Sequence, residues 1–188
     1  MVSKMYNIKT GKNTVLRGLL AEEFARYTLS QRHPIIVLRP AKILEYLSEQ
    51  TVEGLHVQFL RRYAHTMDFF GLGPILETEE SLSIPLSKII QDFFYKQNGL
   101  TKYLVQPLPE FLIKGYIIEV KSRSTKNFWS PFQYTFSTNQ EKMFTQSKRF
   151  NFEVILCGVT FANDWDMAVV FTNLEGKILP QDHFMEDQ

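Results

Sequence analysis

Apolar positions recur at helical spacing from Val15 to Leu29. Val15, Leu16, Leu19, Leu20, Phe24 and Tyr27 fall on one face when plotted at about 100° per residue. Thr14 is placed to cap that helix. Glu23 projects from the middle of the apolar face and Glu22 from its edge, and a carboxylate aimed at a core is costly unless paired. PIIVLRPA (34–41) predicts a short strand bounded by prolines. Residues 42–70 are amphipathic at helical period and stop near GLGP at 71–74; residues 84–99 predict another helix, with Pro85 in its first turn and Gly99 beyond its end. The block at about 42–106 therefore reads as an acidic, helical insertion.

EFLIKGYIIEVK (110–121) presents two β-rich arms around Lys114-Gly115, which predicts a hairpin. Thr138-x-x-Glu141 has the form of a capping box opening a helix to about Arg149. EVILCGVTF (153–161) and DMAVVFT (166–172) predict two further strands joined at Asn163-Asp164. The order implies α/β layering, a mixed central sheet flanked by helices within a single domain over 1–188.

Composition adds bounds. Of 188 residues 44% are hydrophobic and sixteen are Phe, enough for one core. The single cysteine, Cys157, excludes an internal disulfide and any cysteine-cluster metal site, and its apolar run marks it as a small core residue. No apolar run approaches the roughly 18 residues of a membrane span, and the first residues lack a signal-peptide core. An intracellular, cytoplasmic protein is expected. The formal net charge is +1, but it is segregated: +6 over 1–42, −4 over 43–110, +5 over 111–150 and −6 over 151–188. Two basic segments could meet as one basic face, or the charges could form a mixed solvated surface.

The hairpin carries the candidate chemistry. A two-residue turn at Lys114-Gly115 pairs Ile113 with Tyr116, Leu112 with Ile117, Phe111 with Ile118, and Glu110 with Glu119. Opposed residues on an antiparallel pair share a face, as does Lys121, two residues beyond Glu119. Two carboxylates and an ammonium would then converge. Their mutual repulsion is relieved by a divalent cation, and carboxylates without His or Cys suit Mg²⁺ or Mn²⁺ rather than Zn²⁺. The alternative is an exposed Glu110 and a plain Glu119–Lys121 surface pair.

Other candidates are weaker. His33, His56, His65 and His183 show no metal-ligand spacing and read as surface or interface histidines. Arg61-Arg62 could touch phosphate or simply face solvent. Lys121, Arg123 and Lys126, followed by Phe128 and Trp129, could grip a phosphate backbone and stack on a base, or the aromatics could cap the core.

Pro109-Glu110, Glu119-Val120-Lys121, the upstream Gly18-Leu19-Leu20-Ala21-Glu22 and the later Gln140 together resemble the PD-(D/E)XK nuclease superfamily, most closely its archaeal Holliday-junction-resolvase-like branch. The resemblance covers 14–38 and 107–172. It implies a restriction-endonuclease-like core in which a helix–strand–strand–strand–helix–strand order presents a P-D dipeptide and a (D/E)-x-K tripeptide on adjacent strands. It implies Mg²⁺ or Mn²⁺ held by Glu110, Glu119, Val120 and Glu22, with Lys121, Glu119, Glu110 and Gln140 catalytic. It further implies DNA, duplex or branched, as partner, contacted by Arg17, Arg123, Lys126 and Trp129, with a homodimer allowed and no membrane partner. The implied activity is metal-dependent hydrolysis of DNA phosphodiester bonds. By motif the helix glutamate is Glu22; by periodicity it is Glu23. One departure matters: Glu110 stands where the family carries Asp, and metal sites tolerate little misplacement. That departure leaves room for a DNA-binding or assembly protein that keeps the fold without hydrolysis.

Overall fold

The run 116–120, apolar but for Glu119, becomes the buried middle of a sheet that has five strands among the described residues of a computed structural model. It describes residues 2–48, 54–73, 86–97, 114–125, 131–162 and 166–179. The strands are β1 (Ile36–Leu38), β2 (Phe69–Gly73), β3 (Lys114–Ser124), β4 (Glu153–Ala162) and β5 (Asp166–Thr172), ordered β1-β2-β3-β4-β5. β3 and β4 run parallel and every other neighbouring pair is antiparallel. A parallel pair needs a crossover, and α5 (Thr138–Ser147) provides it. The molecule is thus α/β with a mixed sheet flanked by helices, as the alternation of patterns predicts.

α1 (Val2–Arg32) covers one face. Among its described residues the buried apolar ones are Ala21, Ala25 and Leu29, packed with Tyr116, Ile118, Val120, Ile155 and Cys157. The stripe that periodicity assigns to the core points outward instead. Val15, Leu16, Leu19, Leu20 and Tyr27 are exposed. The small side chains of Ala21 and Ala25 let the helix lie close to the sheet, with Leu29 packed one turn further on, and this close packing outranks the larger apolar stripe. The helix also starts before Thr14, which lies inside it and is not its N-cap. We expect Leu29→Ala to cost about 2–5 kcal/mol as a large-to-small core change. Leu19→Ala should shift the urea midpoint little; equal shifts for the two would refute this orientation of α1.

The other face carries α2 (Pro40–Ser48), α3 (Leu55–Tyr63), α4 (Leu86–Gln97) and α5. They close over Phe70, Ile117, Phe152 and Leu156 in a second cluster rich in aromatic rings. The stretch expected to be helical over 42–70 holds α2 and α3 among its described residues, and β2 begins within it at Phe69. The block read as helical therefore also supplies a strand between β1 and β3. α5 is capped one residue earlier than predicted: Ser137, not Thr138, is the N-cap, and its capping-box partner is Gln140, not Glu141. The helix gives way to a 3-10 turn at Lys148–Phe150, and Asn151, at φ 55°, ends it in the left-handed conformation Asn tolerates.

The hairpin at Lys114-Gly115 does not form. Both residues lie inside β3, where Gly115 pairs with Leu72 and Lys114 with Gly73. Tyr116, Ile117 and Ile118 have β2 on one edge and β4 on the other, which leaves no edge for residues 111–113. Gly115 is small for packing rather than for turning: a Cβ there would stand 2.8 Å from Phe152 and 2.9 Å from Phe70. Glu110 and the arm 110–113 lie outside the described residues, as do the turn residues Asn163-Asp164.

The remaining expectations divide by burial. Cys157 is fully buried, and Arg61 and Arg62 are exposed as a solvated helical face requires. His33 departs from the surface reading: it is buried, edge-on to Phe171 at 6.0 Å. His56 packs edge-on to Phe150 and Phe152, and burial lowers its pKa. No helix among the described residues is long and apolar enough to cross a membrane.

Candidate active site

β3 alternates. Tyr116, Ile118 and Val120 join the cluster under α1, while Ile117 joins the opposite one, so Glu119, Lys121 and Arg123 project toward α5. Glu119 is only 2% exposed. Its Oε1 receives the Lys121 ammonium at 2.8 Å and a hydrogen bond from the Gln140 side-chain amide. Its Oε2 is buried with no hydrogen-bond partner among the described residues. An unsatisfied buried oxygen is expensive, and here it belongs to a carboxyl already squeezed by its surroundings.

The second carboxylate comes from a residue the motif reading passed over. Phe69 pairs with Ile118, so Asp68, one step back along β2, falls beside Glu119 across the same two strands. The Val120 amide donates to Asp68 Oδ2 at 2.7 Å. An amide and its own residue's carbonyl face the same edge of a strand, so the Val120 carbonyl opens beside Asp68 as well. Asp68 thus occupies the place expected of Glu110. Its signal was faint: one acidic residue ahead of FFGLG, a short all-apolar run that shows no alternation because both faces are buried.

Gln140 is held from two sides. Its Oε1 accepts from the Ser137 amide at 3.0 Å as part of the α5 cap, and from Lys121 Nζ at 3.4 Å. The cap therefore aims the amide nitrogen at Glu119. Lys121 Nζ also lies 6.0 Å over the Phe136 ring.

The electrostatics follow from this crowding. Burial, then the charge of Asp68, raises the Glu119 pKa to about 7, against the opposing pull of Lys121 and Gln140. Asp68 is raised too, by burial and by Glu22, with the Val120 amide, Lys121 and Arg39 acting against the shift. Two carboxyls that both resist ionisation, beside a lysine, make this cluster a candidate functional site.

α1 reaches this site through Glu22. Its side chain is 23% exposed and meets Arg39 at 2.9 Å, while Glu23, 51% exposed, turns to Arg26 at 2.9 Å. Glu23 also stands 3.5 Å from Arg39, but of the two glutamates it is Glu22, the less exposed, whose charge helps raise the Asp68 pKa. Arg39, lying 4.9 Å over the Phe69 ring, is the second residue that sequence reasoning missed.

The expected DNA contacts do not line one face. Arg17 donates to Ser124 Oγ at 2.8 Å on the α1 side, whereas Arg123 lies on the α5 side. There Arg123 meets Thr160 Oγ1 at 3.1 Å, the Pro131 carbonyl at 2.7 Å and the Phe132 ring at 4.8 Å. The two cations flank the end of β3 from opposite sides of the sheet, because adjacent strand residues face opposite ways. Lys126 and Trp129, with Phe128, lie outside the described residues.

Whether the donors fit a divalent cation can be judged from their chemistry. Asp68, Glu119 with its unpartnered Oε2, and the Val120 carbonyl are hard oxygen donors suited to a largely hydrated Mg²⁺ or Mn²⁺. Among the described residues no three acidic, histidine or cysteine side chains gather closely enough to hold a metal by themselves. The site fits an ion that keeps several waters. No family model, curated protein or solved structure matches this chain.

Proposed function

We propose that this protein is a divalent-metal-dependent nuclease that hydrolyses DNA phosphodiester bonds. The observation that carries the reading is the buried Glu119, with one oxygen bound to Lys121 and Gln140, the other without a hydrogen-bond partner among the described residues, and the charge of Asp68 acting on it. Further support comes from the succession α1, β1, β2, β3, α5 and β4, which, with α2, α3 and α4 taken as additions between the strands, follows the helix–strand–strand–strand–helix–strand order the resemblance implies. In this reading Asp68, preceded by Met67 rather than proline, replaces Glu110 as the acid of the P-D position, and Glu119-Val120-Lys121 is the (D/E)-x-K tripeptide.

Asp68, Glu119 and the Val120 carbonyl would hold Mg²⁺ or Mn²⁺, whose contribution there is to polarise a phosphoryl oxygen. Lys121 supplies donors for the attacking water and for the charge that develops as that water adds to phosphorus and the bond to the leaving sugar oxygen breaks. Gln140 holds Lys121 and Glu119 in register, and its own orientation is set by the α5 cap. Glu22 and Arg39 set the charge behind Asp68.

Incubation with plasmid and synthetic junction DNA, with Mg²⁺, Mn²⁺ or EDTA, tests the reading; cleavage with either metal and none with EDTA is expected. Lys121→Ala should lower cleavage about 10²–10³-fold, the usual cost of a lost transition-state donor, with DNA affinity nearly unchanged. A variant as active as the wild type would remove Lys121 from the chemistry.

A second reading, a DNA-binding or assembly protein without hydrolysis, draws on one observation: Glu22 is engaged by Arg39 at 2.9 Å, which leaves two carboxylates rather than three for a cation. DNA retention without cleavage under every metal would favour it.

A further inference from the structure

Residues 131–137 lead into α5 outside any helix or strand, and every second one is aromatic: Phe132, Tyr134 and Phe136. Their rings form a ladder. Phe136 and Tyr134 are nearly parallel with centroids 6.1 Å apart, and Tyr134 and Phe132 are 4.8 Å apart. Lys121 stands over the Phe136 end and Arg123 over the Phe132 end. The ladder can lie against β4 because residue 158 is glycine: a Cβ there would be 2.7 Å from the Phe132 ring and 2.9 Å from the Tyr134 hydroxyl.

At the far end the ladder opens on a cavity of about 560 Å³, lined among others by Phe132, Tyr134, Arg123, Thr160, Ala168 and Val170. Its walls are mostly apolar, and the polar groups among them are the Arg123 guanidinium, held by Thr160 Oγ1 and the Pro131 carbonyl, and the paired hydroxyls of Tyr134 and Thr172, a composition usual for ligand pockets. Lys121 and Arg123 are two residues apart on one strand face, about 7 Å along the chain, roughly the spacing between successive phosphates of an extended single strand. A strand with its phosphate at Lys121 would lay its neighbouring base along the rings.

We propose that this cavity is a subsite for an unpaired nucleobase adjacent to the phosphate bound at Lys121, so that the preferred substrate is DNA with single-stranded or gapped character. The proposal rests on the nuclease reading for what happens at that phosphate, but not for the binding itself. Bases stack on aromatic side chains only once freed from their duplex partners, so a fully paired helix cannot use the cavity.

The test measures binding in EDTA to matched duplex and to gapped DNA carrying 2-aminopurine at the unpaired position, alongside cleavage in Mg²⁺. Ala168→Phe, at an exposed β5 position, fills the cavity, and Phe132→Leu removes a ring while keeping apolar volume. Wild type should bind the gapped DNA roughly tenfold more tightly, the scale of one stacked base, and both variants should erase most of that preference. Equal affinities, no binding to either DNA, or a preference untouched by Ala168→Phe would overturn the subsite, whether or not the protein cleaves. A preference lost in both variants, in a protein that never cleaves, would uphold the subsite and refute the nuclease reading alone.

Discussion

Asp68→Asn is expected to lower metal-dependent DNA cleavage by more than about 100-fold, since even partners behind a metal ligand are worth about 10–100-fold. The substitution keeps the shape and the hydrogen bond from the Val120 amide, which the Asn side-chain oxygen can still accept, so the fold should survive. What it removes is the charge beside Glu119. Glu110→Gln should leave cleavage nearly unchanged, because the edge of β3 that Glu110 would need is filled by β2. Initial rates over a range of Mg²⁺ concentrations check both variants. If Glu110→Gln proves the damaging change and Asp68→Asn the harmless one, the site has been assigned to the wrong strand.

Glu119→Gln should abolish cleavage and yet make the metal-free protein more stable at alkaline pH. The carboxyl pKa rises on folding from 4.5 to about 7. A raised carboxyl pKa means the folded state holds the proton more tightly. The burden of the buried charge is therefore absent below pH 4.5, grows between pH 4.5 and 7, and is complete above pH 7. At about 1.36 kcal/mol per pKa unit the burden is on the order of 3 kcal/mol. Urea unfolding in EDTA at pH 5 and pH 8.5 should show the variant gaining on the wild type as pH rises; a difference that stays flat would mean the carboxyl is not held under strain. Added Mg²⁺ should narrow the gap at pH 8.5, because a cation that binds only the folded wild type stabilises it by mass action. Such a cost carried in the resting protein is what a site built for a missing positive charge would show.

The legible parts of the fold were those with a local cause. β4 and β5 are an apolar pair with seven opposed residues, and both were evident as strands from their β-branched and aromatic content. The α5 helix was evident from its cap, although Ser137 and Thr138 both have the right chemistry and only the packing chose between them. The nearby Glu119-x-Lys121 spacing made that pair legible too, because two residues apart on a strand always share a face.

Contacts across sequence distance were not legible. Lys114-Gly115 had the look of a turn, but glycine serves close approach as well as turning, and only the Phe152 ring shows which applied. Strand pairing is set by which edges remain open, and β2 took the edge that the hairpin required. Asp68 and Glu119 are 51 residues apart, and no periodicity relates them. α1 was mistaken for the same reason: its stripe of large apolar residues is a property of the helix, while the face it buries depends on how closely the sheet must be approached. The sequence by itself determined the α/β class, the β3 tripeptide and the capped helix that carries Gln140, since each depends on neighbours along the chain. The tertiary structure alone decided that Asp68 stands beside Glu119, because register between strands is set by total burial and not by any residue's local preference.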